Sequence, residues 1–75
     1  SNVKAVSFSP AKVHQNLYFK ADGKAVKTKF EIYDAYGNLL KTGYNSTVDC
    51  TNFVSGVYFI NYDNKSEKFI KIDVK

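Results

Sequence analysis

Short stretches of alternating apolar and polar residues recur along the chain, separated by turn residues at intervals of about 8 to 12 positions. This spacing is typical of an all-β domain and predicts a small antiparallel β-sandwich. Every predicted element is a strand and none is a helix. The seven predicted strands cover residues 3–9, 13–21, 24–34, 39–43, 46–51, 57–62 and 65–75.

Turn residues set the predicted strand ends. Pro10 ends the first strand, because proline has no N–H to donate to a central ladder. Asp22-Gly23 has the composition of a type I′ hairpin turn, which requires positive φ, and Asp63-Asn64 is expected to connect the last two strands. Gly37 is the expected positive-φ residue of the turn after residue 34.

The strand predicted at 57–62 is apolar on both of its faces. Val57 and Phe59 alternate with Tyr58, Ile60 and Tyr62. Strands that are buried on both sides have this composition, so we expect this strand to lie centrally in its sheet.

The final strand shows a simple alternation up to the C-terminus. Ile70, Ile72 and Val74 fall on one face, opposite Lys71 and Asp73. A slip of one residue would move all three apolar side chains into water. The pattern therefore predicts that these three residues are buried and that the last strand pairs with the strand before it.

Length and composition describe one small domain. A chain of 75 residues has 44% hydrophobic and 16% aromatic residues and lacks Trp and Met, so Tyr and Phe must supply much of the core. Cys50 is the only cysteine, which excludes an intramolecular disulfide, and we expect it to be a small buried side chain.

The net charge is +4, and every positively charged side chain that contributes to it is a lysine. Without arginine, and without the aromatic and basic pattern of an RNA-binding strand, a nucleic-acid partner is not expected. The chain also lacks an apolar run of about 18 residues, so membrane insertion is not expected. Ser1-Asn2 are consistent with the scar of a cleaved tag.

The sequence offers no grouping of residues suited to catalysis. His14 is the single histidine and has no metal-ligand spacing around it, and the acidic residues fall mostly in turns. No glycine-rich phosphate loop is present. We therefore expect no enzymatic activity, no cofactor and no metal site.

Two stretches resemble the C-terminal sorting domain of the bacterial type IX secretion system (the type A, Por secretion family). They are KFEIYDAYGNLLKTG, from residue 29, and VDCTNFVSGVYFINYDNKSEKFIKIDVK, from residue 48. The order and spacing of their pieces carry the resemblance: Ile-Tyr-Asp, a Gly turn, a short apolar-basic strand, Gly-Val-Tyr and a lysine-rich final strand. At the N-terminal side Phe8-Ser9-Pro10 stands where the family usually has Pro-Asn-Pro.

The resemblance implies a seven-stranded Ig-like sandwich that forms the C-terminal domain of a longer exported protein, from a Bacteroidetes-like source. It implies a non-catalytic address read by the secretion machinery, with passage through the periplasm to the cell surface or the exterior. The family's recognition features concentrate in the last two strands. The corresponding positions here are Gly56, Val57, Tyr58, Ile70, Lys71, Ile72, Val74 and Lys75.

A second interpretation stays open at this point. Small Ig-like sandwiches also act as binding or spacer modules of surface proteins, in which case the partner would be another surface protein. In either case an unpaired strand offers main-chain groups for β-augmentation, and an edge-strand dimer is possible.

Overall fold

The computed structural model describes residues 4–73, which form strands, turns and loops. Among these residues no helix is long and apolar enough to cross a membrane. The prediction of an all-β domain is confirmed, but nine strands are found where seven were predicted. They are β1 (Ser7–Ser9), β2 (Lys12–Val13), β3 (Asn16–Ala21), β4 (Lys24–Ala25), β5 (Thr28–Asp34), β6 (Leu39–Asn45), β7 (Thr47–Asp49), β8 (Gly56–Tyr62) and β9 (Lys65–Lys71).

The strands form two sheets. In the four-stranded sheet β3 is central, with β1 along one side and β4 and β7 along the other. The five-stranded sheet has the order β2-β9-β8-β5-β6. All strand pairs are antiparallel except β2 and β9, which are parallel. The predicted antiparallel arrangement therefore needs one correction, at β2.

Two predicted strands are each divided because the chain changes sheets within them. Val13 pairs with β9 in the five-stranded sheet, whereas Leu17 pairs with β7 in the other sheet, and both side chains are fully buried. The chain changes sheets again between Ala25 and Thr28. At the second crossing the alternation continues through Val26, Thr28 and Phe30, so the pattern alone could not reveal it. At the first crossing three polar residues, His14, Gln15 and Asn16, separate Val13 from Leu17.

The predicted turn conformations are confirmed. Asp22 and Gly23 have φ angles of 55° and 76°, and Gly37 has a φ of 86°. Asp63 and Asn64 also have positive φ, at 50° and 60°, as a type I′ hairpin requires.

Side chains from both sheets meet in one core. Phe19 of β3 lies 5.9 Å from Phe30 of β5 and 5.2 Å from Tyr62 of β8, measured between ring centroids. Phe8 of β1 contacts Tyr62 and Phe69 edge-on. The remaining buried hydrophobic residues are Val13, Leu17, Ile32, Val48, Cys50, Tyr58 and Ile60.

The predicted register of the last strand is wrong. Phe69 and Lys71 are buried, whereas Ile70 and Ile72 are only partly buried. The two-residue turn pairs Tyr62 with Lys65, and counting from this pair places Phe69 opposite Tyr58 on the core face. The turn thus sets the register and overrides the apolar alternation. Val74 lies outside the described residues.

The prediction for β8 is confirmed in position but not in burial. The strand is the middle one of five. Tyr58, Ile60 and Tyr62 are buried, but Val57 and Phe59 are 38% and 39% exposed. The second layer covers only one face of this sheet, so the other face stays open to solvent.

Alanine substitutions at two adjacent positions test the register of β9. Phe69→Ala is expected to lower the free energy of unfolding by about 3–5 kcal/mol, because it leaves a cavity in the core. Ile70→Ala should cost about 1 kcal/mol, since its side chain is only partly buried. Urea denaturation of both variants measures the difference. A larger loss at Ile70 than at Phe69 would contradict the register.

Burial of Cys50 should make stability depend on alkaline pH. Burial raises the pKa of its thiol from 9.0 to about 11. The unfolded chain then loses this proton first, so the free energy of unfolding should fall as the pH rises from about 9 towards 11. Burial also raises the pKa of Tyr58 and Tyr62, which act in the same direction at higher pH. Urea titrations at pH 8.5 and pH 10 should show a smaller decrease for Cys50→Ala than for the unaltered chain, and equal decreases would contradict this prediction.

Candidate recognition surface

The hairpin of β8 and β9 brings together most of the residues that the sequence singled out. Gly56 lies opposite Lys71, Val57 opposite Ile70, and Tyr58 opposite Phe69. Ile72 follows directly and donates its backbone N–H to the carbonyl of Val13 at 2.9 Å. Val74 and Lys75 lie outside the described residues.

Two of these residues point into the core. Tyr58 is 4% exposed, stacks on Phe53 and Phe69, and donates its hydroxyl to the carbonyl of Val54 at 2.5 Å. Lys71 is also 4% exposed, with its ammonium nitrogen 3.9 Å from an Asp73 carboxylate oxygen. Neither side chain is available to a partner at the surface.

Gly56 has a local structural role. Its φ of 155° is one that other residues rarely adopt, and a Cβ at this position would meet no atom within 4 Å. Backbone conformation, rather than a close approach of another group, therefore explains a glycine at the entry to β8.

The residues that do face solvent belong to an apolar area that crosses four strands. We call it the outer apolar patch, and it consists of Tyr33, Leu39, Val57, Phe59 and Ile70. Tyr33 lies opposite both Leu39 and Phe59, and Val57 lies opposite Ile70, so all five share the open face of the five-stranded sheet. Leu39, Val57 and Phe59 are each more than a third exposed.

Sequence reasoning missed Tyr33 and Leu39 and placed Phe59 in the core. The available signal was that β5 and β8 each carry an aromatic residue on the face opposite their core residues. Without the register that aligns Tyr33 with Phe59, these positions could not be joined into one surface.

Lysines border the patch on one side. Lys68 lies opposite Phe59 on the same face, and Lys12 lies opposite Ile70. Both side chains are exposed. On β5, the Tyr33 hydroxyl donates to a Glu31 carboxylate oxygen at 3.1 Å, and this hydrogen bond is the main reason that the pKa of Tyr33 is raised. The surface therefore combines an apolar centre with a lysine rim on the β9 side, while Glu31 adds a negative charge beside Tyr33.

The patch lies at the end of the sheet where β9 finishes. There Asp73 donates its backbone N–H to the Ser55 hydroxyl at 3.2 Å, which ties the last described residue to the loop before β8. Beside this loop, Asp34 accepts hydrogen bonds from Asn38 and from the Tyr36 backbone, which lower its pKa. These bonds hold the β5–β6 turn, which presents Tyr36 at 91% exposure.

A shallow cavity of about 430 Å³ opens at this same end. Its lining residues are Asp34, Leu40, Asn52, Phe53, Val54 and Tyr58. It has one acidic side chain and no partner acid or base in its lining, which fits surface contact better than proton transfer.

Within residues 4–73 no three His, Cys, Asp or Glu side chains are placed to hold a metal ion. His14 is exposed between β2 and β3, and burial keeps the Cys50 thiol protonated near neutral pH. The outer apolar patch offers a partner apolar contact area and exposed lysine ammonium groups.

Comparison with family models gives a match over residues 9–75 to the secretion system C-terminal sorting domain. No significant match was found among curated protein sequences or among solved structures. The family match begins within β1 and spans every later strand, including the hairpin that carries most of the outer apolar patch. The chain therefore belongs to the family of C-terminal sorting domains that direct proteins to the type IX secretion system.

Proposed function

We propose that the secretion machinery recognises this sorting domain through the outer apolar patch and the end of β9 beside it. Val57 and Ile70 form direct contacts in this proposal, and Gly56 and Ile72 border them. Val74 and Lys75, which lie outside the described residues, are further candidate contacts. Tyr58 and Lys71 act from the core side, where they hold the hairpin in place.

The observation that carries the proposal is an exposed apolar area on one sheet face. Each Å² of apolar surface that a partner covers contributes about 25 cal/mol to binding before entropic costs. Aromatic residues are common among the side chains that dominate binding, and Phe59 and Tyr33 lie at the centre of the patch. The lysine rim favours a partner whose apolar centre is flanked by carboxylates.

Recognition by the sheet face is favoured over strand addition to the terminal strand. The outer edge of β9 is occupied at Ile70 and Ile72, which donate to the backbone of Ala11 and Val13. A partner strand could add there only by displacing β2. The open face of the sheet requires no such displacement.

The wider role follows from the sorting function. Membership of the family implies a secreted protein that reaches the cell surface or the exterior and contacts the secretion machinery; the family is in general non-catalytic. We propose further that this chain is the C-terminal domain of a longer protein that crosses the periplasm in transit. Its two sheets over one core support an Ig-like arrangement.

A fusion experiment tests the recognition surface. Residues 1–75 are attached behind a periplasmic reporter in a bacterium with a working type IX system, and the reporter is measured outside the cells. The double variant Val57→Thr, Phe59→Thr removes exposed apolar surface while keeping residues that favour strands. We expect its export to fall at least about tenfold, since even 1.4 kcal/mol of lost binding corresponds to that factor.

Tyr18→Thr is the matched control, because Tyr18 is 42% exposed but lies on the four-stranded sheet. It should be exported like the unaltered fusion, and circular dichroism should show that all fusions' sorting domains are folded. Normal export of the double variant would exclude the patch as the recognition surface. Retention of the unaltered fusion would instead contradict a sorting role for this chain.

A further inference from the structure

We infer that β6 pairs antiparallel with β6 of a second copy of this chain. β6 is the outer strand of the five-stranded sheet and is seven residues long. The other outer strands, β1, β2, β4 and β7, have only two or three residues each. A long outer strand with unpaired backbone groups is a template for strand addition.

The hydrogen bonds of β5 show which residues of β6 face away from the sheet. Asp34 donates its backbone N–H to Asn38 on the β6 side at 3.0 Å. Alternate residues of an antiparallel strand direct their backbone groups to the same side. Ile32 and Phe30 therefore also face β6.

Their partners on β6 are Lys41 and Gly43, so these two residues use their backbone groups to bond β5. Thr42 and Tyr44 then direct their N–H and C=O groups outwards. Within the described part of the chain no further backbone hydrogen bond is made to either residue. Their side chains are exposed as well.

The usual protections of an outer strand are weak here. β6 contains no proline, and its bulge lies at its beginning, where Leu39 and Lys41 lie opposite consecutive residues of β5. The one lysine, Lys41, donates its ammonium group to the carbonyl of Asp49 at 2.8 Å. Its charge is therefore held towards the second sheet and does not guard the open edge.

The sequence of β6 is complementary to itself in an antiparallel register centred on Thr42. Outward-facing residues must oppose outward-facing residues, which allows Thr42 to lie opposite Thr42 about a two-fold axis. Lys41 then lies opposite Gly43, and Tyr44 opposite Leu40, so no like charges oppose each other. Moving the register one step towards Leu39 would set Lys41 against Lys41, which is unfavourable. A second copy therefore fits this edge without an electrostatic conflict.

The dimer should be weak. One strand pair covers less area than the roughly 1,200 Å² of a small stable interface, so a dissociation constant on the order of 10⁻⁴ M is expected. Each copy carries a net charge of +4, so salt should strengthen the pairing by screening repulsion between the copies.

Sedimentation equilibrium and amide hydrogen exchange of the 75-residue chain test the proposal. From about 20 μM to 2 mM the average mass should rise from 8.5 kDa towards twice that value. Over the same range the amides of Thr42 and Tyr44 should gain at least fivefold protection. The amides of Lys41 and Gly43 bond β5 in the monomer and should not change.

Thr42→Lys should weaken the dimer at least tenfold, because it opposes two ammonium groups. Ser66→Lys is the matched control. Thr42 pairs with Glu31, Glu31 pairs with Asn61, and Asn61 pairs with Ser66. Ser66 therefore lies in the same row across the sheet as Thr42, but on β9. Thr42→Cys gives an independent readout, because hydrogen-bonded partners about 5.5 Å apart can form a disulfide on oxidation. Ser66→Cys should not crosslink.

A chain that stays monomeric at 2 mM would overturn the proposal and leave β6 open to a strand of another protein. A dimer without added protection at Thr42 and Tyr44 would also overturn it, as would equal weakening by Ser66→Lys. None of these measurements depends on export, so their failure is distinct from failure of the sorting role.

Discussion

The two-residue turn at Asp63-Asn64 determines which side of the sheet each residue of β8 and β9 occupies. Both residues have positive φ, and the turn pairs Tyr62 with Lys65. From that pair the alternation of an antiparallel ladder places Phe69 on the core face. A register shifted by one residue would bury Ile70 and expose Phe69. The core and the outer surface both depend on this one connection.

Aromatic side chains replace the disulfide that many small exported domains use. The ring of Phe19 joins the two sheets through its contacts with Phe30 and Tyr62. The polar ends of buried side chains reach partners: the Tyr58 hydroxyl bonds Val54, and the Tyr62 hydroxyl bonds Glu67. Among the described residues no buried side-chain polar atom lacks a partner, which avoids a cost of about 1–3 kcal/mol for each such atom.

The two faces of the five-stranded sheet differ in their surroundings. One face builds the core with the second sheet, while the other presents the outer apolar patch at the end where β9 finishes. Because Val57 and Phe59 alternate with Tyr58 and Ile60, a single strand contributes side chains to the core on one face and to the proposed recognition surface on the other. β6 adds a third feature, an open edge. There the backbone N–H and C=O groups of Thr42 and Tyr44 point outwards and belong to neither face of the sheet.

Much of this protein could be predicted from local sequence. Strand-forming residues, Pro10 and the turns at Asp22-Gly23 and Gly37 gave the all-β class and most strand ends, because backbone geometry at these positions is a local property. Order and spacing of motifs also gave the sorting family. Only the tertiary structure decided where the chain passes from one sheet to the other and that Lys71 is buried in place of Ile70. It also decided that Tyr33 lies opposite Phe59 on a neighbouring strand. These depend on which strands lie side by side, and an alternating pattern is the same whichever neighbour it meets.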